Sequence, residues 1–129
     1  MMKDSSDFTP CNQAVLVVED EWLIAMDISE QLEEVGYHIV GPAHSVKEAL
    51  ALIDSDLVDL ALLDINLAGE QSFDIAARLE REGIPFAFLT GNTATAHSRN
   101  FSAAAVLSKP VQSAELVECV HSIAPLRVG

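Results

Sequence analysis

The amino-acid sequence predicts an α/β fold in which helices cover both faces of an open, five-stranded parallel sheet. Short, nearly continuous apolar segments alternate with segments whose apolar residues recur at helical spacing. Continuous apolar runs suit strands that are buried on both faces, and the alternation indicates right-handed βαβ units. The chain has 129 residues, half of them apolar, so we expect one domain with one sizeable core.

Five apolar runs are predicted to be the strands. In chain order they are Ala14–Val18, His38–Val40, Leu57–Leu63, Pro85–Leu89 and Ala104–Leu107.

Four amphipathic segments are predicted to be helices, and capping residues indicate their ends. Gly36 and Gly83 suit the C-terminal ends of the first and third helices. The tetrapeptide Ser45–Glu48 has the pattern of a capping box, and Ser113 is predicted to cap the last helix. The predicted apolar faces are Ile24, Ile28, Leu32 and Val35; Ala49, Leu50 and Ile53; Phe73, Ala76, Ala77 and Leu79; and Leu116, Val117, Val120 and Ile123.

One expected helix is weakly encoded. The segment Gly91–Ser102 has Phe101 as its only large apolar side chain, so it is predicted to be short, irregular or mobile. Residues 1–12 are predicted to be a flexible lead-in, 13–125 the folded domain and 126–129 a C-terminal tail.

Composition excludes several classes of function. Seven basic and twenty acidic residues give a net charge of −13, which argues against a nucleic-acid surface. No apolar stretch is long enough to span a bilayer and the N-terminus has no apolar signal core, so no membrane association and a cytoplasmic location are expected. The two cysteines, Cys11 and Cys119, do not suggest a disulfide framework.

Polar side chains follow four of the five predicted strands. Glu19 and Asp20 follow the first strand, Asp64 the third, Thr90 the fourth and Lys109 the fifth. The carboxyl ends of parallel strands meet at one edge of the sheet, where ligands bind in open α/β folds. We therefore expect three carboxylates, a hydroxyl and an ammonium group to converge there.

This set of groups predicts phosphoryl chemistry that depends on a metal ion. Three clustered carboxylates repel one another unless a divalent cation joins them, and hard oxygen ligands suit Mg²⁺. A carboxylate beside that ion can attack phosphorus, while Lys109 and Thr90 stabilise the charge on the phosphoryl oxygens. The chain lacks a glycine-rich phosphate loop, which argues against a nucleotide-dependent kinase.

The motifs "VLVVEDE", "LLDINL", "FLTGN" and "SKP" resemble, in this order and spacing, the receiver domains of two-component response regulators. The resemblance covers about residues 14–124. It implies a flavodoxin-like, doubly wound sheet with strand order 2-1-3-4-5. It also implies that Asp64 is the phosphoacceptor and that Thr90 and Lys109 contact the phosphoryl group.

The same resemblance implies a set of Mg²⁺ ligands. Asp20 and Asp64 would bind the ion directly, Glu19 would reach it through water, and the backbone carbonyl of Asn66 would complete the protein ligands. The Lys109–Pro110 bond resembles the cis peptide that is usual in the family.

Two positions depart from the family pattern. Val106 stands where receivers often have an inward-turning aromatic residue. The segment "GIPFAFLTG" and the weak helix after it resemble a subgroup of stand-alone receivers paired with histidine kinases of the HWE or HisKA2 type, but Asn92 replaces the Tyr frequent in that subgroup. The resemblance implies a histidine kinase and a downstream protein as partners; a monomer or weak dimer is expected.

Two functional readings remain open. The first is a single-domain response regulator that acts as a phosphorylation-controlled interaction switch or phosphate sink, and that catalyses only its own phosphorylation and dephosphorylation. The alternative is a non-phosphorylated, receiver-like adaptor. A phosphatase is disfavoured because Asn66 stands where such an enzyme needs a general acid.

Several side chains outside this site also need interpretation. The four histidines share no ligand spacing and are expected to be ordinary surface or partly buried residues. Trp22 is expected either to contact a kinase or to cover the acidic loop. Leu23 is predicted to pack in the core.

Overall fold

The computed structural model describes residues 13–67, 69–91 and 105–124. The predicted lead-in and tail and nearly all of Gly91–Ser102 lie outside these residues, together with His97. In chain order the elements are β1 (Ala14–Val18), α1 (Trp22–Glu34), β2 (His38–Ala43), α2 (Val46–Ser55), β3 (Leu60–Asp64), β4 (Asn66–Leu67), β5 (Glu70–Gln71), α3 (Phe73–Arg81), β6 (Phe86–Thr90), β7 (Ala105–Ser108) and α4 (Ser113–Ile123).

The five long strands form one parallel sheet in the order β2-β1-β3-β6-β7. Because β4 and β5 form a separate two-stranded sheet, β6 and β7 are the fourth and fifth strands of the large sheet, and the order is the predicted 2-1-3-4-5. The flavodoxin-like fold class is therefore confirmed. Every residue of β1, β3 and β6 is buried, because helices cover both faces of the sheet. Helices α1 and α4 pack on one face, around Val15 and Leu62. Helices α2 and α3 pack on the other, around Leu16 and Leu63.

Strand β2 extends beyond its predicted end at Val40. After Leu16 pairs with Val40, the next pair is Val18 with Ala43, so two residues of β2 lie opposite Val17. This β-bulge lets the strand continue through Gly41 and a cis Gly41–Pro42 peptide, beyond the predicted end.

The predicted third strand begins too early. The side chain of Leu57 is 74% exposed and β3 begins at Leu60. Strands β6 and β7 each run one residue further than predicted, to Thr90 and Ser108.

The predicted apolar faces of α1 and α3 each include one residue that is exposed and omit residues that are buried. Val35 is exposed, and Ala25 and Ser29 are buried in α1 instead. In α3, Ile75 is buried and Ala77 is exposed.

Leu23 does not pack in the core, since its side chain is 79% exposed. It lies in the first turn of α1, on the rim of a groove of about 210 Å³ that Pro110 and Val111 also line.

The helix ends agree with the predicted caps in part. Gly36 and Gly83 follow α1 and α3 with positive φ angles of 102° and 73°. Ser45 Oγ accepts a hydrogen bond from the Glu48 N–H at 3.1 Å, but the Glu48 carboxylate binds the His44 N–H instead of completing the capping box. Ser113 is the first residue of α4 and does not cap it; its hydroxyl donates to Gln31 Oε1.

Replacing Gly41 by alanine tests the bulge. A Cβ there would lie 2.7 Å from the Ala43 nitrogen, in a residue with φ +94°, whereas Gly83 has φ +73° and open space around a Cβ. Both Gly→Ala changes strain the backbone, but only Gly41→Ala adds a clash with main chain. Urea denaturation should show Gly41→Ala to be less stable than Gly83→Ala by at least about 1 kcal/mol. Equal losses would mean that β2 tolerates a side chain at the bulge.

Candidate functional site

The carboxyl ends of β1, β3, β6 and β7 bring the predicted site residues to one edge of the sheet. Val18 pairs with Leu63, so Glu19 and Asp64 follow as neighbours, and Thr90 pairs with Ser108, directly before Lys109. One carboxylate oxygen from each of Glu19, Asp20 and Asp64 lies within 4.8 Å of the other two.

Lys109 places its ammonium group between two of these acids. Its Nζ lies 2.9 Å from Asp64 Oδ2 and 3.0 Å from Glu19 Oε1. Burial lowers the pKa of Lys109, but the hydrogen bond to Asp64 and the contacts with Glu19 outweigh it, so the net pKa is raised. The amine therefore stays charged.

The backbone around Lys109 is fixed by its neighbours in the sheet. The Lys109 N–H donates to the carbonyl of Thr90 at 2.9 Å. Thr90 is itself buried at the end of β6. The Lys109–Pro110 peptide is cis, as the family resemblance implied.

Glu19 is a fully buried carboxyl group at the centre of the cluster. Its Oε2 accepts the Glu21 N–H at 3.1 Å. Burial, and next the hydrogen bond with Asp64, raise the pKa of Glu19 to about 7. Glu19 Oε1 is buried and forms an ion pair with the Lys109 ammonium at 3.0 Å.

Asn66, two residues after Asp64, belongs to a small element that the sequence analysis missed. The Asn66 N–H donates to Asp64 Oδ1 at 3.2 Å. Asn66 begins β4, which forms an antiparallel hairpin with β5 in the connection from β3 to α3. Gly69 in the turn has φ +92°, and glycine there was the only local signal for the hairpin.

The donor set fits a hard divalent cation. Three carboxylates within one small cluster, two of them buried, match the oxygen ligands that Mg²⁺ takes from proteins. Among the described residues, no histidine or cysteine belongs to a cluster of this kind.

His44 approaches the site more closely than the sequence suggested. Its Nδ1 lies 2.9 Å from the backbone carbonyl oxygen of Glu19. Its ring lies against Trp22, with 6.1 Å between centroids, while the Trp22 side chain remains 61% exposed. Both expectations for Trp22, a kinase contact and a cover over the acidic loop, stay predictions. The sequence placed His44 beside the second strand, but without ligand spacing to the other histidines it was interpreted as an ordinary surface or partly buried residue.

Comparison with known proteins decides the family. The sequence model of one protein family, the response regulator receiver domain, matches residues 15–121 of this chain. The chain belongs to this family. The receiver-domain resemblance carried by the four sequence motifs is thereby confirmed.

Individual relatives agree with this assignment. This receiver domain is 34% identical over 111 residues to the transcriptional regulatory protein PdtaR of Mycobacterium tuberculosis, a match that covers 83% of this chain and 54% of PdtaR. The chain thus spans about half the length of the curated relatives it matches.

Solved structures show the same fold. The solution structure of SdrG from Sphingomonas melonis Fr1 has a TM-score of 0.76 at 34% identity, covering 88% of this chain and 97% of SdrG. The crystal structure of the response regulator TrrA from Thermotoga maritima in complex with Mg(2+)-BeF has a TM-score of 0.78 at 29% identity. This match covers 87% of this chain and 99% of TrrA. In the described part of this receiver domain, none of the helices has the length and apolar character needed to cross a membrane.

The raised pKa of Glu19 predicts how metal-free stability depends on pH. Between 4.5 and about 7, folded Glu19 keeps a proton that the unfolded chain has released, so its contribution to stability falls as pH rises through this window. Glu19→Gln has the same shape and stays neutral. Its free energy of unfolding in EDTA, relative to wild type, should therefore increase from pH 4.5 to 7. A difference that stays constant would contradict the raised pKa; Glu118→Gln, on α4, is the matched control.

Removing the ammonium group should destabilise the metal-free domain. Lys109→Met leaves Asp64 and Glu19 without their cation. Because the Lys109 side chain is 20% exposed, we expect a loss smaller than the roughly 3–5 kcal/mol typical of fully buried pairs. Urea unfolding at pH 8 measures it, and the loss should shrink in a Glu19→Gln background. An unchanged loss in that background would show that Glu19 and Lys109 do not interact.

Proposed function

We propose that this receiver domain accepts a phosphoryl group on Asp64 from the phosphohistidine of a histidine kinase, in a reaction that requires Mg²⁺. The observation that carries the proposal is the setting of Asp64. Its carboxylate lies between the Lys109 ammonium and the Asn66 N–H, beside two further acids.

The proposed Mg²⁺ ligands follow the acidic cluster. Asp20 and Asp64 would bind the ion directly, Glu19 would bind it through water, and the Asn66 carbonyl would complete the protein ligands. When bound, the ion screens the repulsion among the carboxylates and withdraws charge from the phosphoryl oxygens.

The residues of the chain position and stabilise the transferred group. An Asp64 oxygen attacks phosphorus in line, the P–N bond of phosphohistidine breaks, and the histidine nitrogen keeps the electron pair. The Lys109 ammonium and the Thr90 hydroxyl then bind the phosphoryl oxygens. Lys109 already lies 2.9 Å from the Asp64 carboxylate, so a small shift of its side chain is enough.

The proposed output is a change at the ends of β6 and β7. The hydrogen bond from the Lys109 N–H to the Thr90 carbonyl joins these two ends, so the two phosphoryl contacts act on one unit. The shift in population is limited by the energy that those contacts add in the phosphorylated state. With valine at position 106 the switch works without the usual aromatic rotation.

The wider role follows from the same chemistry. The domain acts as a phosphorylation-controlled interaction switch or a phosphate sink in the cytoplasm, and catalyses only its own phosphorylation and dephosphorylation. The "GIPFAFLTG" segment supports a kinase of the HWE or HisKA2 type as donor. A downstream protein that reads the phosphorylated state completes the proposal.

Intact-mass spectrometry after incubation with acetyl phosphate and Mg²⁺ tests the phosphoacceptor. The wild type should gain one phosphoryl group and Asp64→Asn none, because an amide oxygen is a poor nucleophile and the Asp64 carboxylate contacts both Lys109 and the Asn66 N–H. The control is Asp74→Asn, which changes an exposed acid on α3 and should be labelled like the wild type.

Labelling that persists in Asp64→Asn would overturn the assignment of the phosphoacceptor. A wild type that stays unlabelled by acetyl phosphate and by a panel of phosphorylated histidine kinases would favour the adaptor alternative.

A further inference from the structure

The start of α2 is hydrogen-bonded to both loops that carry the acidic cluster. From the first loop, the Glu19 carbonyl oxygen contacts His44 Nδ1 at 2.9 Å. From the second loop, Glu70 Oε1 accepts the Val46 N–H at 3.3 Å. His44 and Val46 flank Ser45, the N-cap residue of α2. One short segment therefore touches both sides of the site.

The chemistry of the His44 contact determines which nitrogen carries a proton. A carbonyl oxygen only accepts hydrogen bonds, so His44 Nδ1 must be the donor. The imidazole ring lies against Trp22, which limits its rotation. The His44 backbone N–H donates to Glu48 Oε1 at 2.8 Å, which holds the main chain of this residue.

Both backbone groups of Glu19 are bound to the end of β2 and the residue after it. The Glu19 N–H donates to the Ala43 carbonyl at 3.0 Å, and its carbonyl oxygen accepts from His44. That carbonyl belongs to the peptide bond between Glu19 and Asp20. The His44 contact therefore limits rotation of the peptide that sets the relative direction of two of the three acids.

Glu70 has the corresponding role on the other loop. It lies in β5, opposite Leu67, in the hairpin whose first residue, Asn66, donates to Asp64. Its carboxylate binds the first N–H of α2, a favourable place for a negative charge. The contact holds the hairpin, and with it the Asp64–Asn66 turn, against the same helix.

We propose that His44 and Glu70 are positioning residues for the metal site: they hold the Glu19–Asp20 and Asp64–Asn66 loops at the spacing that Mg²⁺ requires, with the start of α2 as the common anchor. The inference rests on the proposed function, because it assumes Mg²⁺ at the acidic cluster. In other proteins, residues that orient the metal ligands by hydrogen bonds without binding the metal themselves contribute strongly to metal affinity.

Matched pairs of variants separate the hydrogen bonds from side-chain shape and charge. His44→Asn keeps an N–H donor two bonds from Cβ, as Nδ1 is, and His44→Leu has nearly the same shape without the donor. Glu70→Gln keeps the acceptor oxygen, and Glu70→Met removes it with the same loss of charge. His38→Leu changes an exposed histidine at the other end of β2 and serves as the control.

Two measurements on the whole chain test the inference. Titration calorimetry with MgCl₂ gives the Kd for Mg²⁺. Amide hydrogen exchange in EDTA reports on the Glu21 N–H, which donates a hydrogen bond to Glu19 Oε2. His44→Leu should raise the Kd about tenfold relative to His44→Asn, and should speed exchange at Glu21 in the absence of metal. Glu70→Met should raise the Kd relative to Glu70→Gln. His38→Leu should match the wild type.

Equal Kd values within both pairs, with unchanged exchange at Glu21, would overturn the inference and leave phosphorylation of Asp64 intact. If one member of the His44 pair fails to fold, the Glu70 pair decides the matter alone. A wild type that binds no Mg²⁺ would instead overturn the metal site in the proposed function, and this inference with it.

Discussion

The ammonium group of Lys109 allows two buried carboxylates to lie side by side at the edge of the sheet. Glu19 and Asp64 would otherwise be buried like charges without compensation, which is among the most costly arrangements in a protein interior. The lysine lies 3.0 and 2.9 Å from their oxygens. It neutralises only part of the cluster, because Asp20 is a third acid within 4.8 Å. The remaining negative charge is what makes the site suitable for a divalent cation.

The fold and the members of the site were predictable because both depend on short-range patterns. Apolar runs identified the buried strands β1, β3 and β6, and the first polar residue after each run marked the carboxyl edge of a parallel sheet. That rule found Glu19, Asp64 and Thr90 without knowledge of their contacts, and Lys109 lies two residues after the last apolar run.

The features that were not predicted depend on contacts between distant parts of the chain. Gly41–Pro42 has the local pattern of a turn, and only the pairing of Val18 with Ala43 shows that β2 continues beyond it. The contact of His44 with the Glu19 carbonyl was not predicted either, because it joins two residues that lie 25 positions apart in the chain. Leu23 lies off the apolar stripe of α1 and was still predicted to pack in the core; the rotation of α1 on the sheet, which buries Ala25, leaves Leu23 exposed.

The central claim, that the three acids share one divalent ion, is tested most directly by anomalous diffraction from crystals grown with Mn²⁺, which takes the oxygen ligands that suit Mg²⁺. We predict a single strong anomalous peak among the carboxylates of Glu19, Asp20 and Asp64, with the amine of Lys109 beside it. Crystals that hold Mn²⁺ elsewhere, or none at this edge of the sheet under saturating metal, would contradict the account.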